Sequence, residues 1–138
     1  MGGALFGQTT VTDEITIFGL GLTSSSYTSF SNKKLKSGAI YAGNMSASSS
    51  TGYRYIQIKS SETSGICTTK SGGTVKSITI TFNSDSKIDR KIAVFGSNTS
   101  YKAISDLYNS STAGTQIGTN LAPTSSQKEF TLTPTEKY

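Results

Sequence analysis

The chain has 138 residues and a mass of 14.5 kDa, which suffices for one domain with one core but not for two. Its 13 Lys and Arg outnumber its 8 Asp and Glu, giving a net charge of +5, but only Lys33, Lys34 and Lys36 cluster. Nucleic-acid binders concentrate their cations on one face, so we expect no nucleic-acid partner. Because no apolar run reaches 18 residues, we also expect no membrane insertion.

Hydrophobic residues make up 33% of the chain, which is low, but 7 Tyr and 6 Phe accompany many Ile, Val and Thr. Aromatic and β-branched residues fit the pleated surface of a sheet, and disordered chains lack them. The sequence contains no His and a single cysteine, Cys67. These two facts exclude Ser-His-Asp, Cys-His and His-metal sites within the chain. We therefore predict an ordered β domain that is not an enzyme.

The first ten residues, MGGALFGQTT, are typical of the last part of a secretory signal peptide. A disordered terminus is the alternative interpretation. Residues 11–138 show no repeat and no internal boundary, so we predict a single domain there. The signal-like start predicts export, to the cell surface or the extracellular space.

Period-2 alternation predicts strands along most of the chain. In chain order the predicted strands are Glu14–Leu20, Gly38–Ala42, Tyr53–Lys59, Gly65–Thr69, Val75–Phe82, Lys91–Gly96, Gln116–Gly118 and Lys128–Thr133. Thr23–Phe30 and Gly43–Gly52 are predicted as loops, and Ser100–Tyr108 as a short helical turn near residues 100–108. Short strands between turn signals indicate an all-β fold, an antiparallel β-sandwich or jelly roll, with barrel closure left open.

The apolar positions of three alternating segments define the predicted core. Its members are Ile56, Ile58, Ile78, Ile80, Phe82, Ile92, Val94 and Phe95. Cys67 lies in an alternating apolar segment, so a buried structural thiol is expected. Intermolecular pairing of that thiol is the alternative.

Several motifs from residue 14 onward resemble one recurrent domain. They are SGAIY at Ser37–Tyr41, YIQIKSS, the hairpin-like Gly65–Phe82, RKIAVFGSNTSYKAISDLYNSS at Arg90–Ser111, and GTQIG at Gly114–Gly118. Together they resemble a β-sandwich domain of unknown function from exported proteins of gut-type Gram-negative bacteria. The resemblance implies a sandwich similar in kind to galactose-binding-like domains and export from the cytoplasm. It supplies no activity and no catalytic residues.

One departure from that family concerns the C-terminus. In the family a tyrosine like Tyr138 is followed by a turn and a final apolar strand, which this sequence lacks. We therefore expect the domain to lack its C-terminal strand or strands. A missing strand leaves an unpaired sheet edge, through which such a domain self-associates.

No motif indicates a cofactor. Asn83–Asp89 mixes Asn, Ser and Asp in a way that suits calcium, but it matches no calcium loop and is better explained as a turn. Calcium therefore remains open, with no residue assigned to a metal. Phosphate-binding glycine patterns are absent from the sequence.

The remaining functional signal is a set of aromatic and amide residues in predicted loops. The predicted ligand-binding residues are Tyr41, Asn44, Tyr101 and Tyr108. Tyrosine rings stack on sugar faces and amides bond sugar hydroxyls, which predicts a non-catalytic, exported binding or adhesion module with glycan as its ligand. The alternative is that the rings cap the ends of the fold. The protein is then a purely structural module: a spacer in a surface protein, or a decoration subunit of a virion or filament.

Overall fold

The computed structural model describes residues 9–48 and 55–138. Within them lie a short α-helix and a 3-10 helix, α1 (Ile17–Leu20) and Ile104–Tyr108, and eight strands. The strands are β1 (Thr28–Lys34), β2 (Ile40–Ala47), β3 (Ile56–Gln57), β4 (Gly65–Lys70), β5 (Ile78–Thr81), β6 (Phe95–Gly96), β7 (Thr115–Gln116) and β8 (Glu129–Leu132). Every strand pair is antiparallel. The all-β antiparallel class and the helical turn near residues 100–108 are thereby confirmed.

The largest sheet is arranged around β2, with β1 on one side and both β4 and β3 on the other. Gly43 lies at the centre of β2 because the packing there leaves no room for a side chain. A Cβ at Gly43 would lie 2.5 Å from the carbonyl oxygen of Gly65 and 2.8 Å from the Phe30 ring. The predicted loop Gly43–Gly52 is therefore wrong for its first five residues, which continue the strand. The rest of it lies at the end of β2 or outside the described residues.

Two smaller sheets complete the fold. β5 pairs with β8, and β6 pairs with β7, beside a single bridge between Ile92 and Leu121. The hairpin expected over Gly65–Phe82 is wrong, because β4 pairs with β2 and β5 with β8. The strands predicted at Gly65–Thr69 and Lys128–Thr133 are present with nearly the predicted bounds.

The predicted strand Glu14–Leu20 is also wrong, since its second half forms α1. Local capping decides this. The Oγ1 of Thr16 accepts a hydrogen bond from Gly19 N at 3.0 Å, which satisfies an N-terminal donor of the helix. Gly21 then ends the helix in the left-handed conformation (φ 67°), which glycine adopts at little cost. Two end signals thus outweigh an alternating apolar pattern.

The buried core differs from the predicted one. It consists of Ile17, Leu20, Ala39, Met45, Ala47, Cys67, Tyr101, Ala113, Ile117 and Leu121. None of the eight predicted core residues is fully buried: seven are half-buried, and Ile58 is 43% exposed. Cys67 is buried as predicted, and burial, together with the charge of Asp106, raises the pKa of its thiol to about 11. Among the residues described, no helix has the length and apolar character needed to cross a bilayer.

Candidate functional site

The four predicted ligand-binding residues lie in three places. Tyr101 and Tyr108 flank and end the 3-10 helix, whereas Tyr41 and Asn44 belong to β2. Side chains of a strand alternate between its faces, so Tyr41 and Asn44 lie on opposite faces of the sheet. The four residues therefore do not converge on one site.

Tyr101 is a buried residue with only 8% of its surface exposed. Its hydroxyl donates a hydrogen bond to the carbonyl oxygen of Ala113 at 2.7 Å. Burial raises the pKa of this phenol, and the thiol of Cys67 adds to the shift. The ring and its hydroxyl thus fix the loop that follows the 3-10 helix.

Tyr108 and Asn44 are connected through Ser64. The hydroxyl of Tyr108 donates to the carbonyl oxygen of Ser64 at 2.5 Å, and the Ser64 hydroxyl donates to the carbonyl oxygen of Asn44 at 3.0 Å. The Asn44 amide nitrogen donates to the Ser29 hydroxyl at 3.0 Å. Its buried Oδ1 has no partner among the described residues. These bonds hold the 3-10 helix against the large sheet, although 46% of Tyr108 stays exposed.

Tyr41 anchors the N-terminal segment. Its hydroxyl donates to Asp13 Oδ2 at 2.9 Å, and Asp13 also accepts from Ser37 N at 2.7 Å and from the Ser37 hydroxyl at 2.5 Å. Burial, reinforced by the adjacent Asp13 carboxylate, raises the pKa of Tyr41 well above its ordinary value. Burial alone would raise the pKa of Asp13, but the hydrogen bonds from Ser37 and Tyr41 outweigh it and leave that pKa lowered. These hydrogen bonds hold Asp13 against the start of β2.

A cavity of about 290 Å³ opens beside Tyr101. We call it the loop groove. Five hydroxyl side chains line it, those of Ser97, Thr99, Ser100, Ser111 and Thr112, together with Tyr101, Lys102, Asp106 and Gly114. Its volume is at the small end of ligand sites in proteins, which suits one small polar unit.

The 3-10 helix positions the one carboxylate of the loop groove. Asp106 Oδ2 accepts from Lys102 N at 2.7 Å and from Ala103 N at 3.4 Å, so one oxygen is fixed by the backbone. The hydroxyl of Thr112 donates to the Asp106 carbonyl at 2.8 Å and secures the helix from the other side. The second carboxylate oxygen, Oδ1, makes no hydrogen bond within the described part of the chain. It remains able to accept from a ligand.

The turn before Tyr101 is built from local side-chain bonds. The Ser97 hydroxyl accepts from Thr99 N at 3.0 Å and donates to Thr99 O at 2.9 Å. Gly114 has φ of 80°, and an added Cβ would collide with the carbonyl oxygen of Gly96. Local hydrogen bonds at Ser97 and close packing at Gly114 thus hold the backbone on two sides of the groove.

Of the four predicted ligand-binding residues Tyr101 lines the loop groove, whereas Asp106 and the hydroxyls around it were not predicted. The signal was present: Asp106 lies four residues after Lys102, and Ser-x-Thr at Ser97–Thr99 is typical of a side-chain-stabilised turn. The partners of Asp106 are backbone amides, which a composition-based argument does not reveal.

Within residues 9–48 and 55–138 no three His, Cys, Asp or Glu side chains come together in a way that could hold a metal ion. In the segment considered for calcium, Asn83 Oδ1 accepts from the Ser84 hydroxyl at 3.1 Å and from Asp85 N at 3.4 Å. These bonds describe a turn closed by its own asparagine. Calcium dependence stays an open prediction.

Comparison with known proteins adds no relative. No family model matches the chain, and no curated protein and no solved structure matches it. The resemblance of residues 14–138 to an exported bacterial domain therefore stays a prediction.

Proposed function

We propose that the protein is a non-catalytic binding module that takes a saccharide unit in the loop groove. The observation that carries the proposal is the lining of that groove: hydroxyl side chains and the unpaired Oδ1 of Asp106 over the buried ring of Tyr101. Sugars present hydroxyl groups that need acceptors and donors in fixed positions. A carboxylate oxygen accepts hydrogen bonds from hydroxyl groups more strongly than a neutral acceptor does.

Under this proposal the four predicted ligand-binding residues have different roles. Tyr101 lines the groove, whereas the hydrogen bonds of Tyr41 to Asp13 and of Asn44 to Ser29 favour structural roles for both. Tyr108 remains available through its exposed ring. Non-catalytic action is part of the proposal because a glycoside hydrolase typically uses two carboxyl groups across the bond it cleaves. Asp106 is the one carboxylate among the described residues that line the groove.

The proposal includes the setting of the module. We infer that it is exported to the cell surface or beyond, from the signal-like first ten residues and the resemblance to an exported family. We also infer that its three sheets pack as a sandwich and that the β5–β8 pair offers an edge for self-association. Support for the edge is that β5 pairs with β8 alone among the described residues.

A glycan array tests the proposal. The protein is applied with and without calcium, beside the variants Asp106→Asn and Asp85→Asn, which remove the same charge from the groove and from an exposed turn. We expect binding of one saccharide class, weakened about tenfold or more by Asp106→Asn, which loses a charge-assisted hydrogen bond. Asp85→Asn should bind like the parent. A blank array, or equal binding by both variants, would contradict the proposal.

A second function, that of a purely structural module, is favoured by a different observation. The hydroxyls of Tyr41, Tyr101 and Tyr108 each donate a hydrogen bond within the fold. A spacer or decoration subunit needs such internal fixation and no open site. If no glycan on the array binds, and the Asp106→Asn variant assembles like the parent protein, the structural function is favoured.

A further inference from the structure

A β-bulge interrupts the pairing of β1 with β2. Phe30 pairs with Gly43 and Lys33 pairs with Tyr41, so Ser31 and Asn32 together oppose a single residue of β2. Asn32 has φ of 56°, the one positive value outside glycine in the described residues. Asparagine tolerates this left-handed conformation better than other residues with side chains. The asparagine at position 32 therefore favours a bulge at this point of the strand.

The bulge decides which face of the sheet carries Lys33. Shifting a strand by one residue moves its side chains to the opposite face. Without the bulge Lys33 would pair with Ile40. With it Lys33 shares a face with Phe30 and Met45, while Lys34 pairs with Ile40 and lies on the other face. Bulges that re-aim one side chain are typical of functional sites.

Lys33 lines a cavity of about 230 Å³ between the end of α1 and the first two strands. We call it the bulge groove. Its floor contains Leu20 and Met45, both 1% exposed, while Leu22 and Phe30 are half-buried walls with surface left to cover. Hydroxyl residues, among them Thr28, form the rest of the lining. The lining thus combines apolar side chains with hydroxyl groups and one lysine.

Among the described residues that line the bulge groove, Lys33 carries the one charged group. A Cβ added to Gly21 would lie 3.1 Å from Lys33 Nζ, so the glycine that ends α1 also makes room for the lysine. No carboxylate lies within ion-pair distance of Lys33: the single ion pair in the described part of the chain joins Arg90 and Asp89. Asp13, which reaches the same face of the sheet through Tyr41, is held by Ser37 and Tyr41 instead.

We propose that the bulge groove binds a small monocarboxylate with a short unbranched apolar tail. The carboxylate pairs with Lys33 Nζ at the rim, and the tail covers Leu22 and Phe30. An unpaired cation beside apolar side chains favours an anion with a hydrophobic body. A fully polar anion would leave the apolar side chains exposed to water. A neutral lipid would leave the ammonium group unpaired. The cavity is smaller than a site for a drug-sized ligand, which limits the tail to a few carbons. This site is separate from the loop groove.

Hexanoate is a suitable probe, titrated into the isotopically labelled protein while backbone amide resonances are followed by nuclear magnetic resonance. We expect saturable shifts at residues of α1 and β1. Hexanol should give at least about tenfold weaker binding, since it lacks the charge. Lys33→Met should weaken hexanoate to the same degree, whereas Lys34→Met, one residue away on the opposite face, should leave it unchanged. Asp106→Asn in the loop groove should also leave it unchanged.

The bulge supplies a second test that does not remove the lysine. Asn32→Gly keeps a residue that accepts positive φ and should preserve binding. Asn32→Val should abolish it, because a β-branched residue disfavours that conformation. A thermal melt identifies a variant that fails to fold, and Lys33→Met then carries the decision. The proposal is overturned if hexanoate gives no saturable shifts, if hexanol binds equally well, or if the two lysine variants behave alike.

Discussion

The strands of the sheet around β2 and of the two-stranded β5–β8 ribbon are buried to different depths. In β2 every residue from Met45 to Ala47 is buried, whereas Ile78 and Ile80 of β5 are only half-buried. β2 has a strand on each side and a helix near each face: Leu20 of α1 shares the bulge groove with Met45, and the 3-10 helix contacts the opposite side. Burial depth thus follows the number of covering elements, and alternation alone does not determine it.

The ribbon is held by pairs across its two strands. Phe82 and Phe130 contact edge to face with ring centres 5.8 Å apart, and the hydroxyls of Thr79 and Thr131 lie 3.0 Å apart. Each such cross-strand pair contributes about 0.2–1 kcal/mol, and isolated two-stranded sheets are marginal. The ribbon's stability therefore rests on contacts that are individually small.

The largest effect is expected at Met45, which is 1% exposed at the centre of the large sheet. Met45→Ala should lower the free energy of unfolding by about 2–5 kcal/mol, through lost burial and the cavity left behind. Urea denaturation measures this. Val75→Ala, at a site 39% exposed, is the control and should change it by about 0.5 kcal/mol or less. Equal effects would contradict the burial of Met45 in the large sheet.

A smaller effect is expected at Ile80 on the ribbon. If Ile80 were fully buried, as its alternating pattern predicts, Ile80→Ala would cost about 2–5 kcal/mol. Because the residue is half-buried, we expect about 1–2 kcal/mol, since the loss scales with the apolar area removed from water. The same urea titration checks it. A loss matching that of Met45→Ala would mean that the ribbon's apolar face is covered in solution, as it would be in a self-associated form.

The fold was predictable from sequence where local pattern and tertiary context agree. β4 and β8 were found because their alternating residues lie between clear turn signals, and the 3-10 helix because Ile104 and Leu107 recur at helical spacing. α1 was missed because capping by Thr16 and Gly21 decides over four residues. The second half of β2 was not predicted because its small residues have the composition of a loop. The strand needs a small residue at Gly43, where the packing leaves no room for a side chain.

The sites were less predictable than the fold. Tyr101 was recognised as an aromatic residue of interest, but its role depends on Ala113, twelve residues away. Asp106 takes its position from backbone amides, and Lys33 from a one-residue bulge at Asn32. Strand pattern predicts which residues alternate. It does not predict where the register slips, and a slip changes which side chain enters a groove.

The smallest effect on stability is expected at Asp13. Its hydrogen bonds with Ser37 and Tyr41 join the N-terminal segment to the large sheet. The pKa of Asp13 is lowered from its ordinary value of 3.8: burial opposes the shift, and hydrogen bonds from Ser37 and Tyr41 produce it. The unfolded chain therefore takes up this proton first as pH falls. The stabilisation is complete well above pH 3.8 and is lost as pH falls through the lowered value.

Asp13→Asn removes that dependence while keeping an acceptor oxygen. We expect a loss of about 1 kcal/mol or less near neutral pH, since the Asn side chain can still accept hydrogen bonds from Ser37 and Tyr41, and a flatter stability profile below about pH 4. Thermal midpoints measured from pH 2.5 to 7 check both. Asp89→Asn, at an acid whose ion pair with Arg90 is exposed, is the matched control and should keep the parent's profile. If the Asp13 and Asp89 variants lose stability in parallel as the pH falls, Asp13 does not tie the N-terminal segment to the sheet in solution. The two regions would then differ in burial alone.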